Sequence, residues 1–446
     1  MAMARLDVEF TKDGEVFKPA QVKALIAALP GVTDLLVLSH GWNNDMADAR
    51  ALYDELVSNI DRLLSARTSS GAPKALKALA GRTYAVCQVF WPSKRFADAD
   101  LIPGGGAATA TGANDKALVR VLEAMKRDPV RLGGKEAPAA RVKVIDRAIA
   151  AVPRLATSPV ARKTFVDALR SVMPKGKSTK EIDDGSAAFF KTDPEALFKS
   201  LSVGVLAPVA KAKGGAATMT TGGGAAGLGD LVDGITAGAR RIANFVTYYQ
   251  MKDRAGTIGS TGVASLIKQC RKAKPALRIH LVGHSFGGRL MTAAAAGLSP
   301  NTPNVTISLL QAAFSHNALS EDFGGGNAGF YRKVVSDASV SGPIIITHTK
   351  NDKAVGIAYP LASRIALQVA AALGDENDPY GGMGRNGAQH TVEAVGHAAR
   401  LGPKGAAYAF KPGTVNNLLA DDLIKDHGDV RSEAVAYAIL CCSGGV

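Results

Sequence analysis

Cysteine is scarce in this chain. Four cysteines among 446 residues are too few for a disulfide scaffold of this size. No C-x-x-C pair occurs, which argues against a zinc ribbon. Cys87 lies in the apolar run "TYAVCQVFW" and Cys270 in a basic helical stretch, while Cys441 and Cys442 are adjacent near the C-terminus. All four read as buried or idle thiols. Long hydrophobic runs are missing too. No uninterrupted apolar stretch reaches the roughly 18 residues of a transmembrane helix. The first residues, "MAMARLDVEFTKDGE", lack the apolar core of a signal peptide, so a cytoplasmic protein is expected. Hydrophobic residues at 47% and charged residues at 21% describe a soluble globular chain. Its length suits one large domain with an insertion, or two domains.

Basic charge is what the chain has in excess, with a formal net charge of +14. Between positions 101 and 240 there are 21 Lys/Arg against 13 Asp/Glu, a local excess of about 8. Such a surface can serve nucleic acid, an anionic membrane or an acidic substrate. These charges follow several helical patterns with almost no aromatic interleaving, and no nucleic-acid motif accompanies them. No nucleic-acid partner is expected. Solvated helix faces explain most of the charge, and peripheral contact with an anionic membrane stays open.

Strands and helices alternate through the first 95 residues. "ARLDVEF", "TDLLVLSHGW" and "TYAVCQVFW" read as strands, with helices over "KPAQVKALIAAL" and "MADARALYDELVSNIDRLL". That alternation predicts an α/β fold, with a mostly parallel central sheet flanked by helices. The rhythm breaks near residue 96. "ALVRVLEAM" carries Leu118, Val121, Leu122 and Met125 on one stripe. Ser158-Pro159 and Asp193-Pro194 are N-cap and first-turn pairs. "KGGAATMTTGGGAAGLGD" reads as loop. Residues 96–238 are therefore expected to form a mostly helical, Gly/Ala-rich insertion between core parts 1–95 and 239–446. The rhythm resumes with strands "LRIHLVG", "VTISLLQAAF", "GPIIITHT" and "GAAYAF". Helices are expected over "AYPLASRIALQVAAAL" and "RSEAVAYAIL".

Glycine supplies 48 of the 446 residues, so G-x-S-x-G should occur by chance in roughly a third of such chains. Context separates the match at 283–287 from chance. Ser285 follows the apolar strand "IHLVG" and precedes the small-residue helix "GGRLMTAAAAG". A strand–turn–helix elbow holds a serine hydroxyl clear of the sheet. It requires Gly283 and Gly287, because side chains there would collide. The Phe286 N–H then lies at a helix N-terminus, suited to an oxyanion. The second donor is expected from "LLVLSHGWNN", where Gly41 lets the backbone turn and Trp42 offers its N–H. His40 is expected to hold that loop. Asp352, just past the strand "PIIITHT", is the expected acid, ahead of Asp375 and Asp378. Of the eight histidines, His427 in the polar loop before the last helix is the preferred base, with His390 and His397 as alternatives.

The segments "SHGWNN", "VGHSFGG", "THTKND" and "DHGDV" before a final helix resemble serine hydrolases of the α/β-hydrolase fold, of the esterase/lipase kind. The resemblance covers about 30–95 and 240–446. It implies hydrolysis of a small-molecule or lipid-like carboxylic ester by Ser285, His427 and Asp352, through an acyl-enzyme. It implies no metal or organic cofactor, with 96–238 as cap or lid. The stretch from "GAAYAF" to His427 is longer than the family's usual strand-to-histidine loop. An acyltransferase or thioesterase using the same triad, and a non-catalytic binding scaffold, are the alternative readings. "GGGAAG" and "GMGRNG" fit G-x-G-x-x-G but follow no strand, so neither is a dinucleotide fingerprint. "GKST" lacks the earlier P-loop glycine. His390, Glu393 and His397 depart from the H-E-x-x-H spacing of a zinc site.

Overall fold

The computed structural model describes residues 3–93, 111–173, 186–202, 228–352, 354–355, 380–395 and 399–446. Runs such as "DLLVLS" and "YAVCQVF" are mostly apolar, with no alternation of apolar and polar residues, which suits strands covered on both faces. They form β2 (Asp34–Ser39) and β3 (Tyr84–Phe90), and every residue of both is buried. The other strands are β1 (Ala4–Glu9), β4 (Arg278–His284), β5 (Val305–Leu310), β6 (Ile344–His348), β7 (Ala394–Val395) and β8 (Val415–Leu419). One sheet contains all eight, in the order β1-β3-β2-β4-β5-β6-β8-β7. Every pairing is parallel.

The period-2 alternation of a strand divides the core. Leu35 and Val37 join the apolar cluster on one face, with Val22 and Leu25 of helix Pro19–Ala28. Leu36 and Leu38 join the cluster on the other face, with Tyr53, Leu56 and Ile60 of helix Met46–Ser65. Val435 and Ile439 of the last helix, Glu433–Ser443, close that second layer. Helix Met46–Ser65 starts where Asp45 and Asp48 cap one another's backbone N–H groups.

Helices Thr111–Met125, Ala139–Ala151, Pro159–Ser171, Ser186–Lys191, Pro194–Ser202 and Leu228–Thr257 lie between β3 and β4. Ser158 Oγ accepts from the Ala161 N–H, and Asp193 Oδ1 from the Glu195 N–H, as the cap signals predict. Leu118, Val121, Leu122 and Met125 are buried and belong to the same cluster as Leu35 and Val37. The insertion's apolar faces are thus continuous with the core on that side. Helix Leu228–Thr257 crosses the expected boundary at 238 and passes through a π-helical turn, Ile258–Val263, into Ala264–Ala273. No helix among the described residues is long and apolar enough to cross a membrane.

One expected strand is corrected. "GAAYAF" (405–410) is not a strand. Its rings stack instead, Tyr408 on Phe410 at 4.7 Å, and both pack against the second core cluster. The sheet's own strand is "VNNLL", with Asn416 and Asn417 buried inside it. Asn417 satisfies its amide against the Ala388 backbone, and Asn416 donates to the Ile344 carbonyl. Two central asparagines hide the strand from a reading based on β-propensity. The expected helix over "AYPLASRIALQVAAAL" and most of the Gly-rich run at 213–230 lie outside the described residues.

Candidate active site

Parallel strands all end on the same edge, so the loops after them converge. The chain leaves β2 toward β3 on one side and returns to β4 on the other. The carboxyl ends of β2 and β4 therefore flank the reversal point of strand order, where open α/β sheets bind ligands. His40-Gly41-Trp42 follow β2, and Ser285 follows β4.

Ser285 has φ 56 and ψ −123, a left-handed conformation that costs a non-glycine residue free energy. Its backbone is held on three sides: its N–H donates to Leu310 O, and its carbonyl accepts from Gly288 and Ala313. Gly283 and Gly287 are required by space. A Cβ on Gly283 would lie 2.2 Å from Gly287 O, and one on Gly287 2.3 Å from Ser39 O. Helix Phe286–Ala296 starts immediately after the serine. A Cβ on Gly41 would lie 2.7 Å from Ser285 Cβ, so the loop after β2 runs directly against the serine. The Trp42 and Phe286 rings are 5.8 Å apart. Neither residue's backbone N–H is engaged by an acceptor among the described residues.

His40 is fully buried and stacks on Trp91 at 5.5 Å. The Trp91 N–H donates to its Nε2, so Nδ1 carries the proton and donates to Gly41 O at 2.9 Å. The His40 N–H donates to Tyr53 Oη, which donates to Val89 O. Burial pushes the imidazole down to about 4, so it is neutral near pH 7. Every polar atom of this residue is spent on fixing the loop.

Asp352 is fully buried beyond the end of β6. Its Oδ1 accepts from the Val355 N–H at 2.9 Å, and its Oδ2 meets His427 Nδ1 at 2.8 Å. The loops after β6 and β8 are tied together to make this contact. Thr349 and Lys350 donate to Asp421 Oδ1, and the Asn351 amide donates to the carbonyls of Asp421 and Ile424. Because the sheet strand is Val415–Leu419, the run to His427 is short, which removes the departure caused by "GAAYAF". Burial draws the His427 imidazole down, but the adjacent Asp352 charge and hydrogen bond outweigh it, with Asp426 adding. The net position is above the ordinary 6.5.

Of the two described histidines after the acid, His390 and His427, it is His427 that is hydrogen-bonded to Asp352. His390 is exposed, with φ 49, and its carbonyl accepts from Glu321. His397, Asp375 and Asp378 lie outside the described residues. Both carboxylate oxygens of Glu393 are held by Arg332. Among the described residues no cluster of His, Cys, Asp or Glu could hold a metal ion.

Two polar residues at the site were not singled out from the sequence. Gln311, at φ 46 just past β5, donates to Gly384 O at 3.2 Å and lies 3.4 Å from Asp352 Oδ2. His284, inside the pentapeptide, donates through Nε2 to His427 O at 2.7 Å. Neither contact has a local sequence signal, since each joins segments 41 or more positions apart. Comparisons with protein-family models, with curated proteins and with solved structures return no match to this chain.

Proposed function

We propose that the protein is a serine hydrolase of the α/β-hydrolase fold that cleaves carboxylic esters. The observation that carries the reading is the 2.8 Å bond between His427 Nδ1 and buried Asp352, on a loop whose His427 carbonyl is bonded by His284, the residue before a serine at a strained strand-to-helix turn. An imidazole whose Nδ1 is committed to a carboxylate keeps Nε2 for proton transfer, and the carboxylate stabilises the imidazolium that forms. In this reading His427 takes the Ser285 proton as Oγ attacks the ester carbonyl. The N–H groups of Trp42 and Phe286 receive the negative oxygen. Among the described residues neither has an acceptor, so no bond between them has to break first. Imidazolium protonates the departing alcohol. Water, deprotonated by His427, then releases the acid and restores Ser285.

The reading is tested by labelling with a fluorophosphonate, together with turnover of p-nitrophenyl esters of increasing chain length. Ser285 is expected to carry the label, and Ser285→Ala to lose both label and turnover. An unlabelled Ser285, or full turnover by Ser285→Ala, refutes the mechanism.

A further inference from the structure

We propose that His284, between Gly283 and the serine, is a positioning residue that pins the loop carrying His427 to the nucleophile turn. This rests on the ester-hydrolase reading of the site. A carbonyl only accepts, so in the 2.7 Å contact His284 Nε2 is the donor and His427 O the acceptor. Nδ1 is then an unprotonated acceptor, buried and with no hydrogen-bond partner among the described residues. Leaving it so costs free energy, which a hydrocarbon side chain filling the same space would avoid. Packing alone therefore gives no reason for an imidazole here. The Nε2 donor does.

The two partners differ in rigidity. His284 ends β4 and is paired to β5 in the sheet. His427 rides on a loop, and its side chain is 24% exposed. Asn351 ties that loop down upstream, at Asp421 and Ile424, and Asn59 holds the Arg431 carbonyl downstream, with His427 between these anchors. Asp352 fixes the ring of His427, and His284 fixes its backbone. The two rings lie 4.9 Å apart. Burial first, and then the neighbouring His427, hold His284 down to about 3, so it does not compete for the transferred proton. The charged and titratable groups facing this pair are Asp352, Asp426 and His40.

Three substitutions test the tether. His284→Gln carries an amide N–H that reaches the same carbonyl. His284→Asn is polar but too short. His284→Met fills the space without a donor. With p-nitrophenyl acetate, Met and Asn are expected to lose kcat by about 10- to 100-fold with little change in KM, the size of effect a misplacement near 1 Å produces. Their acid-limb midpoint should move down as the Asp352–His427 pair loosens, while Gln recovers most of the rate and the normal midpoint. Wild-type rate and midpoint in folded Met and Asn variants, or equal losses in all three, overturn the proposal. If wild-type protein neither turns over ester nor labels at Ser285, the hydrolase reading fails separately. The tether is then read from the NMR titration of His427, whose midpoint should drop in the Met and Asn variants but not in Gln. An unchanged midpoint in Met and Asn overturns it.

Discussion

Gly41→Ala is the most direct test of the proposed oxyanion site. The added methyl would lie 2.7 Å from Ser285 Cβ, 3.2 Å from its Oγ and 3.3 Å from His284 Nδ1. Carbon atoms pack at about 3.5 Å or more, so loop and serine must separate by about 0.8 Å. Neither side yields easily. Ser285 is held by Leu310, Ala313 and Gly288, and the loop by His40 through Trp91, Tyr53 and Gly41 itself. The shift carries the Trp42 N–H away from the reacting carbonyl. A misplacement near 1 Å costs roughly 10²-fold, equivalent to about 2.7 kcal/mol of transition-state stabilisation. Overpacking should lower stability by about 1–3 kcal/mol. The assay is kcat/KM for p-nitrophenyl acetate with a urea melt of the same preparation. A folded Gly41→Ala protein with wild-type kcat/KM refutes the placement of this loop at the reacting oxygen.

Four further outcomes are expected. Asp352→Asn should lower kcat by about 10⁴-fold, because the amide favours the wrong tautomer of His427. The wild-type acid limb should lie above pH 6.5, since His427 is raised and must be neutral to act; a midpoint below 6.5 contradicts the pairing. Ser285→Gly should be about 1 kcal/mol more stable than Ser285→Ala, both inactive, because relief of the strain at φ 56 outweighs glycine's larger loss of chain entropy on folding; equal urea midpoints would show that the turn stores no strain. His40 and His284 are held down to about 4 and about 3 when folded but titrate near 6.5 when unfolded. The unfolded chain therefore takes up protons first. Their stabilisation is complete above pH 6.5 and should fall by about 2 kcal/mol for each by pH 5. Urea unfolding at pH 7 and 5 measures this, and identical stabilities would refute it.

Particular residues show which features are local. Ser285 was legible because its neighbours on both sides carry the signal: an apolar strand, two glycines in the space of five residues, then a small-residue helix. His40 was legible as a loop holder, since a histidine directly after a buried strand has little access to solvent. Asp352 was placed by its position past a β-branched strand. His427 was preferred over His390 and His397 from its polar loop before the last helix, but nothing within a few residues of it shows that it meets Asp352. Gln311 and His284 were given no role. Their bonds to Asp352 and His427 O cross between loops, and a hydrogen bond made across the sheet leaves no periodicity behind. The strand Val415–Leu419 escaped for a related reason. Its asparagines look like loop residues until their amides are paired with the backbone of Ala388 and Ile344.

By itself, then, the sequence determined the alternation of strands and helices, the helical character between β3 and β4, and the elbow around Ser285. These follow from steric and hydrophobic rules that act over a few residues. Only the tertiary structure decided the strand order, the identity of the strand beside β6, and the histidine that meets Asp352. Those depend on which loops converge at one end of a parallel sheet. That convergence is set by packing and hydrogen bonds between segments tens to hundreds of residues apart, over distances that no local pattern encodes.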